Sequence, residues 1–346
     1  MTDTTTDTSP YTPEEAQLIE RLRKRHLKDL QKLPDFNTDW NMAGFLSSAS
    51  WNLHKAESML KNYLKWRKKH DYSRVQAFDF SPYVKYLEMY YVCGFYNTDR
   101  QGRPVLIERM GLSKPKEIVK HTSRAVMINF MIQRFERLVH VILPMCSKAA
   151  GRRIDSIVVI YDMKDFNCMT AMDPSVLKHI KTLSKVVQEY YPHLISNFYM
   201  VNIPLFFKTV YNGLKYLAKE STRSRIKMFK GPAVKELLEL IPEENLPVFL
   251  GGKCQEPLQE SPGPWREALR RAVEQKSFYL EDREAEFQYY YTEKERQRCE
   301  GKSKEKQLEL LDEIRTLESD VMEVRVLFRP PRSNGLMASF AATCDN

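Results

Sequence analysis

The chain has 346 residues, 42% of them hydrophobic and 11% aromatic, which is enough apolar material for one large core or two smaller ones. Its formal charge of +9 suits an acidic partner, either nucleic acid or an anionic membrane face, and suits a plain solvated basic surface equally well. No run of 18 apolar residues occurs, the opening MTDTTTDTSPYTPEE lacks the regions of a signal peptide, and the six cysteines show no CxxC pair and no zinc spacing, so the expectation is a soluble intracellular protein with reduced thiols and no metal.

Residues 1–11 are polar and rich in Thr and Asp, the composition of a disordered tail. At Thr12 a capping residue is followed by proline at the first helical position and by Glu15, which predicts a helix running through AQLIERLRKRHLKDLQKL. NLHKAESMLKNYLKWRKKH places Leu53, Ala56, Leu60, Tyr63 and Leu64 at helical spacing, with basic residues on the other face. From about residue 88 strands and helices alternate. YYVCGFYNTDRQGRPVLIERMG reads as two short strands around Asp99-Arg100-Gln101-Gly102, a hairpin signal. SRAVMINFMIQRFERLVHVILPMCSKAA predicts a long helix ending near Pro144, and Ile157 to Tyr161 form the near-continuous apolar run of a strand buried on both faces. The helix PSVLKHIKTLSKVVQEYYP, the strand NFYMVNIP, the helix LFFKTVYNGLKYLAKE, the strand RIKMFKG and the helix PAVKELLELI follow, an alternation that indicates an α/β sheet with helical cover. Beyond about residue 254 come GPWREALRRAVEQ, a densely charged stretch, an amphipathic helix from Ser303 to Met322, the alternating EVRVLFR and a tail.

Motifs for catalysis are absent. Gly301-Lys302-Ser303 matches only the end of a phosphate-binding loop, since Arg296 stands where the first glycine belongs, and neither GxGxxG nor GxSxG occurs. His193, after Tyr190-Tyr191-Pro192, is a candidate general base, and also an ordinary histidine at a helix-to-strand turn. Asp162 is either catalytic or a carboxylate that closes a strand end by hydrogen bonding to a neighbouring loop. Phe198, Tyr199, Phe206 and Phe207 share their elements with Met200, Val201 and Leu205, an interior context rather than a stacking platform for single-stranded nucleic acid. An apolar surface without catalytic groups is what a hydrophobic cargo needs, because each buried methylene contributes about 0.8 kcal/mol. The stripe Phe206, Phe207, Val210, Tyr211, Leu214 and Leu217, with lysines around it, is able either to cover such a pocket and open at a membrane or to pack as an ordinary amphipathic helix.

YNTDRQGRPVLIERMG, LPMCSKAAGRRIDSIVVIYDMKDF, VVQEYYPHLISNFYMVNIPLFFKTVYNGLKYL and KELLELIPEENLPVFLGG together resemble the CRAL-TRIO domain, the lipid-binding fold of phosphatidylinositol transfer proteins and of the tocopherol and retinaldehyde carriers. The likeness covers roughly residues 85–253, and the segment from Met42 to His70 resembles the helical module that precedes the domain in that family. Beside the disordered tail over 1–11 and the mostly helical extension over 254–346 read from the residues, it implies a helical module over 12–80 and a lipid-binding α/β domain over 81–253 with a mixed sheet, a hydrophobic cavity and a gating helix near Leu205 to Lys219. It further implies a lipid cargo, no catalysed bond change, no cofactor, and a cytoplasmic protein that touches membranes transiently.

Members that bind phosphatidylinositol usually carry an acidic residue just after Y-Y-P and a lysine on the strand before the final helix; His193 and Arg225 stand there in this chain. An arginine still holds phosphate bidentately. The hydroxyl residues of the family's phosphatidylcholine site correspond to Ile157 and Val159, a pocket tyrosine to Leu106, and the arginines of an R-A-R-K segment to Ser47 and its neighbours, so a phosphatidylcholine site lacks support. The expected headgroup contacts are Arg225, with His193 and Lys227 as auxiliaries. The expected tail wall is Leu106, Ile128, Ile132, Phe135, Ile157, Val159, Phe198, Met200, Phe206, Phe207 and Val210. The cargo expected is a phosphoinositide or another anionic phospholipid. Two further readings stay open: a non-transferring scaffold that recruits a protein through the C-terminal extension, and a carrier of a sterol or isoprenoid.

Overall fold

A computed structural model describes residues 11–33, 36–69, 72–167, 169, 173–192, 194–205, 207, 211–212, 215 and 223–277 of the chain. His193, Phe206, Val210, most of the expected gating helix and everything expected beyond residue 277 lie outside the described residues.

The helices come first in the chain. In α1 (Pro13–Arg25) the Thr12 side chain accepts from the Glu15 backbone while the Glu15 carboxylate accepts from the Thr12 N–H, the reciprocal pair that its sequence signals. The helix does not run unbroken to Leu33: His26 leaves helical geometry, and a single turn, α2 (Leu27–Leu30), follows. α3 (Asp39–Ser48), capped by Thr38, and α4 (Leu53–Lys69) close the module around Leu22, Leu30, Met42, Phe45, Leu46 and Leu60, which are 0–1% exposed. Two short helices, α5 (Tyr72–Gln76) and α6 (Val84–Tyr90), lead into the sheet.

Five strands make one sheet among the described residues: β1 (Cys93–Thr98), β2 (Pro104–Arg109), β3 (Ile157–Asp162), β4 (Ile195–Val201) and β5 (Ile226–Met228), in spatial order β1-β2-β3-β4-β5. β1 and β2 are the expected antiparallel hairpin, and every later neighbour is parallel. Asp99 builds the hairpin turn. Its buried carboxylate accepts from the backbone N–H groups of Gln101 and Arg103 and from the Arg103 guanidinium, with Gly102 at φ 77.

Between β2 and β3 lie α7 (Pro115–His121), α8 (Arg124–Arg137) and α9 (Leu143–Ala150). Contrary to the sequence expectation, the chain stays helical past Pro144. A five-residue π turn, Leu138–Ile142, intervenes, and the Leu143 N–H reaches back to the Leu138 carbonyl. The widened turn places Pro144 in the first turn of a new helical segment, where its missing N–H costs no hydrogen bond. α10 (Pro174–Tyr190), α11 (Val234–Leu240) and α12 (Arg266–Glu274) complete the described helices used here. The polypeptide beyond residue 253 packs into the same body: Trp265 is fully buried, edge-on to Phe95, and Ala272 packs with Val141 beside the π turn.

Side chains alternate across the strands, so each face has its own core. Val105, Ile107, Val158, Ile160, Tyr199 and Val201 face Leu237, Ile241, Leu246, Leu250 and Leu258. Phe95, Leu106, Ile157, Val159 and Phe198 lie on the other side, toward α8 and the N-terminal module.

Candidate functional site

On this second side the strand register lines up two rows. Phe95, Leu106, Val159, Phe198 and Ile226 form the first; Cys93, Glu108, Tyr161, Met200 and Met228 form the second, one pleat nearer the carboxyl ends of the parallel strands. Most of the expected tail wall is gathered here. Leu106, Ile132, Phe135, Ile157 and Val159 are all buried, joined by Ile128 and Phe198 at the margin, in one core that also takes in Tyr63, Trp66 and Tyr191. Met200 and Phe207 belong to a smaller cluster with Met163, flanked by Tyr161, Phe198 and Tyr211. Ile157 and Val159 are thus packed against protein, whereas Tyr161, on the central strand, and Phe198 beside it retain accessible surface. The two rings meet edge to face at 4.6 Å.

The segments leaving the strands are tied down at this end. Asp162, 3% exposed, accepts from Asn202 Nδ2 at 2.8 Å and the Lys164 N–H at 3.1 Å, with Arg109 Nε 3.5 Å away. It performs the strand-closing task that its position suggests. Gly111 lets the loop after β2 pass the one after β3, since a Cβ there would sit 1.6 Å from the Lys164 carbonyl oxygen.

The expected headgroup residues are not brought to one place. Arg225 donates to the Ile195 carbonyl at the beginning of β4. Lys227 pairs in register with Tyr199, its ammonium 5.4 Å from the Tyr199 ring centroid and 3.5 Å from its hydroxyl. Tyr199 points into the other core, so Lys227 lies across the sheet from Phe198 and Met200.

Two polar constellations escape sequence reasoning. The first interrupts the second row of the sheet. Tyr91 donates to Glu108 Oε1 at 2.6 Å, Tyr161 stands opposite Glu108 in the strand register, and Arg134 from α8 donates through Nη1 to Cys93 Sγ at 2.7 Å. The guanidinium carbon stands 5.3 Å and 5.7 Å from the Phe95 and Tyr91 ring centroids. Burial raises the Tyr91 and Tyr161 hydroxyls well above the usual tyrosine range, with Glu108 adding to the effect, and it pushes the Cys93 thiol up to about 11. Burial works against the Arg134 charge, but Cys93, Tyr91 and Glu108 outweigh it and hold the guanidinium protonated. The signals in the sequence were a carboxylate inside the apolar run PVLIER and an arginine inside MIQRFER.

The second lies where the N-terminal module meets α8 and the end of α10. A cavity of about 70 Å³ is bounded there by Trp40, Gly44, Arg67, Glu136, His140 and Pro192, among others. It has room for a few waters, not for an acyl chain. Glu136 accepts from the Tyr191 hydroxyl at 2.5 Å and lies 3.2 Å from His140 Nε2. Burial pushes the Glu136 carboxyl up, but His140, Arg67 and Tyr191 prevail and hold it below the usual range. Tyr190 stacks on Trp66 at 4.0 Å, so the Tyr190-Tyr191-Pro192 motif clasps the module to the domain. No group of three or more potential metal ligands occurs among the described residues.

A family profile described as the CRAL/TRIO domain matches residues 88–252. The SEC14 cytosolic factor of Candida glabrata is 32% identical over 242 residues, which cover 66% of this chain and 78% of that protein. The phosphatidylinositol/phosphatidylcholine transfer protein SFH14 of Arabidopsis thaliana is 30% identical over 262 residues, covering 73% of this chain and 45% of that protein, so the chain spans less than half the length of this plant relative. Among solved structures, the crystal structure of Sfh5 is similar in fold, with a TM-score of 0.54 at 16% identity over 76% of this chain and 98% of that one.

Proposed function

The chain belongs to the CRAL/TRIO domain family, and from that membership we propose that it takes up a single phospholipid from a membrane surface and carries or presents it without changing a covalent bond. Relatives named as phosphatidylinositol/phosphatidylcholine transfer proteins support the cargo class. The observation that carries the reading is the unequal closure of the sheet. Val158 and Ile160 have no accessible surface on one side, while Tyr161 and Phe198 keep some on the other, at the end where the strands run out toward Leu205 and Phe207. Apolar side chains left partly uncovered inside a domain are the wall that an acyl chain completes.

In this reading the tails lie over the second row, next to Phe207, and the headgroup sits near the start of β4 and β5. Arg225, which donates to the Ile195 carbonyl, supplies its cation there. The phosphoinositide class is favoured because a guanidinium matches a phosphate, and the net charge of +9 draws the protein to an anionic surface. The test is exchange of phosphatidylinositol between donor and acceptor vesicles, together with mass spectrometry of lipid that co-purifies with the protein. Transfer above the spontaneous rate, lowered severalfold by Arg225→Ala with the fold intact by circular dichroism, is the expected result. Absence of both transfer and bound lipid overturns the carrier reading, and unchanged transfer by Arg225→Ala overturns the headgroup placement.

A further inference from the structure

The floor on which the tails are placed is not uniformly apolar. Arg134 Nη2 is buried and meets no acceptor among the described residues, although Nη1 is engaged by Cys93. Glu108, the carboxylate of this cluster, already accepts from Tyr91. A buried N–H without a partner costs free energy that a bound acceptor recovers. Arg134 as a whole keeps part of its surface, as do Tyr161 and Cys93, so a small shift of these side chains brings a bound oxygen to Nη2.

Charge decides what kind of acceptor belongs there. One guanidinium and one carboxylate already balance, in surroundings where an added charge is poorly screened. An anionic group brought to Nη2 would leave the cluster with a net negative charge beside Glu108, and a cationic group would confront Arg134. A neutral oxygen takes up the free N–H and leaves the balance untouched.

Resting on the carrier reading, we propose that Arg134 is a specificity-determining residue that donates through Nη2 to an uncharged oxygen of the cargo, and that the Arg134–Glu108–Tyr91–Tyr161 cluster selects lipids carrying such an oxygen at the buried end. The ester carbonyl of a diacyl phospholipid and the hydroxyl of a sterol both supply it. The charged head of a phospholipid stays outside this cluster.

Two matched pairs of probes, loaded from vesicles onto the full chain, test this. The first is diacyl phosphatidylinositol against its dialkyl ether analogue, which lacks the carbonyls; the second is cholesterol against its analogue lacking the hydroxyl. The expected result is a preference of about tenfold for the oxygenated member of at least one pair, and the pair that shows it identifies the source. Arg134→Met combined with Glu108→Gln removes the donor while keeping the cluster neutral and a carbonyl for Tyr91 to meet. In that variant the preference falls toward equality while the total lipid loaded persists. Equal loading of both members of both pairs by the unaltered protein, or a preference that survives in the variant, overturns the proposal and leaves the carrier reading standing. Failure to load any probe overturns both.

Discussion

Ile160 and Tyr161 are neighbours on β3 and point to opposite sides of the sheet. Ile160 is 0% exposed within a core completed by Leu237, Ile241, Leu246 and Leu250, whereas Tyr161 keeps accessible surface next to Phe198 and Met200. The first side is covered by a segment whose own side chains fill the pleats. The second is filled over Phe95, Leu106 and Val159, where α8 and the N-terminal module supply the packing, and keeps accessible surface at Tyr161, Phe198, Ile226 and Met228. One sheet therefore carries a closed core on one side and a partly covered face on the other.

The sharpest way to break this contrast is to cut into the closed side. Ile160→Ala is expected to cost about 2–5 kcal/mol, since a large aliphatic side chain is removed from tightly packed surroundings. A urea denaturation series with unchanged slope measures it, and a loss under about 1 kcal/mol would show that this side is not closed. Lipid exchange per folded molecule should stay within about twofold of the unaltered protein.

Asp162 sits at the boundary between the two sides. Asp162→Ala leaves Asn202 Nδ2 and the Lys164 N–H without their acceptor, at a cost of about 1–3 kcal/mol. Hydrogen exchange should accelerate most over 202–205, which follow the Asn202 contact. Uniform acceleration across the sheet would mean that the carboxylate serves global stability instead.

Phe198→Ala probes the open side. A fully buried phenylalanine costs about 3–5 kcal/mol on truncation; because Phe198 is only partly covered, about 1–2 kcal/mol is expected, with a severalfold drop in phospholipid exchange. Loss of stability equal to that of Ile160→Ala, with exchange preserved, would erase the distinction between the sides.

The smallest effect is expected at the junction with the N-terminal module, where the Glu136 charge cluster lies beside the Trp66–Tyr190 stack. The Glu136 carboxyl is held below the usual range in the folded state, so its contribution is fully present above the ordinary glutamate value of about 4.3 and fades as the pH falls through the lower folded value. Below about pH 4.3 the unaltered protein should lose stability more steeply than Glu136→Gln. Parallel slopes in urea midpoints between pH 5 and pH 3 would show that His140, Arg67 and Tyr191 do not hold that carboxylate.

Features decided by neighbours along the chain were legible in the residues. The capping box at Thr12, the hairpin turn at Asp99 and the buried strand at Ile157 all form where their signals stand. The family likeness, read from motifs in order, agrees with the profile match over residues 88–252. Pro144 misled because a proline reads as a helix stop, whereas a π turn just upstream absorbs it.

From the sequence alone came the fold family, the apolar composition of the sheet face toward α8 and the lack of catalytic motifs, because these depend on local periodicity and on residue types at fixed spacing. Tertiary structure alone decided which half of that face is filled, and it drew Glu108, Arg134 and Tyr161 from β2, α8 and β3 into one cluster. Parallel pairing and helix packing join residues far apart in the chain, and no local pattern encodes the register by which they meet.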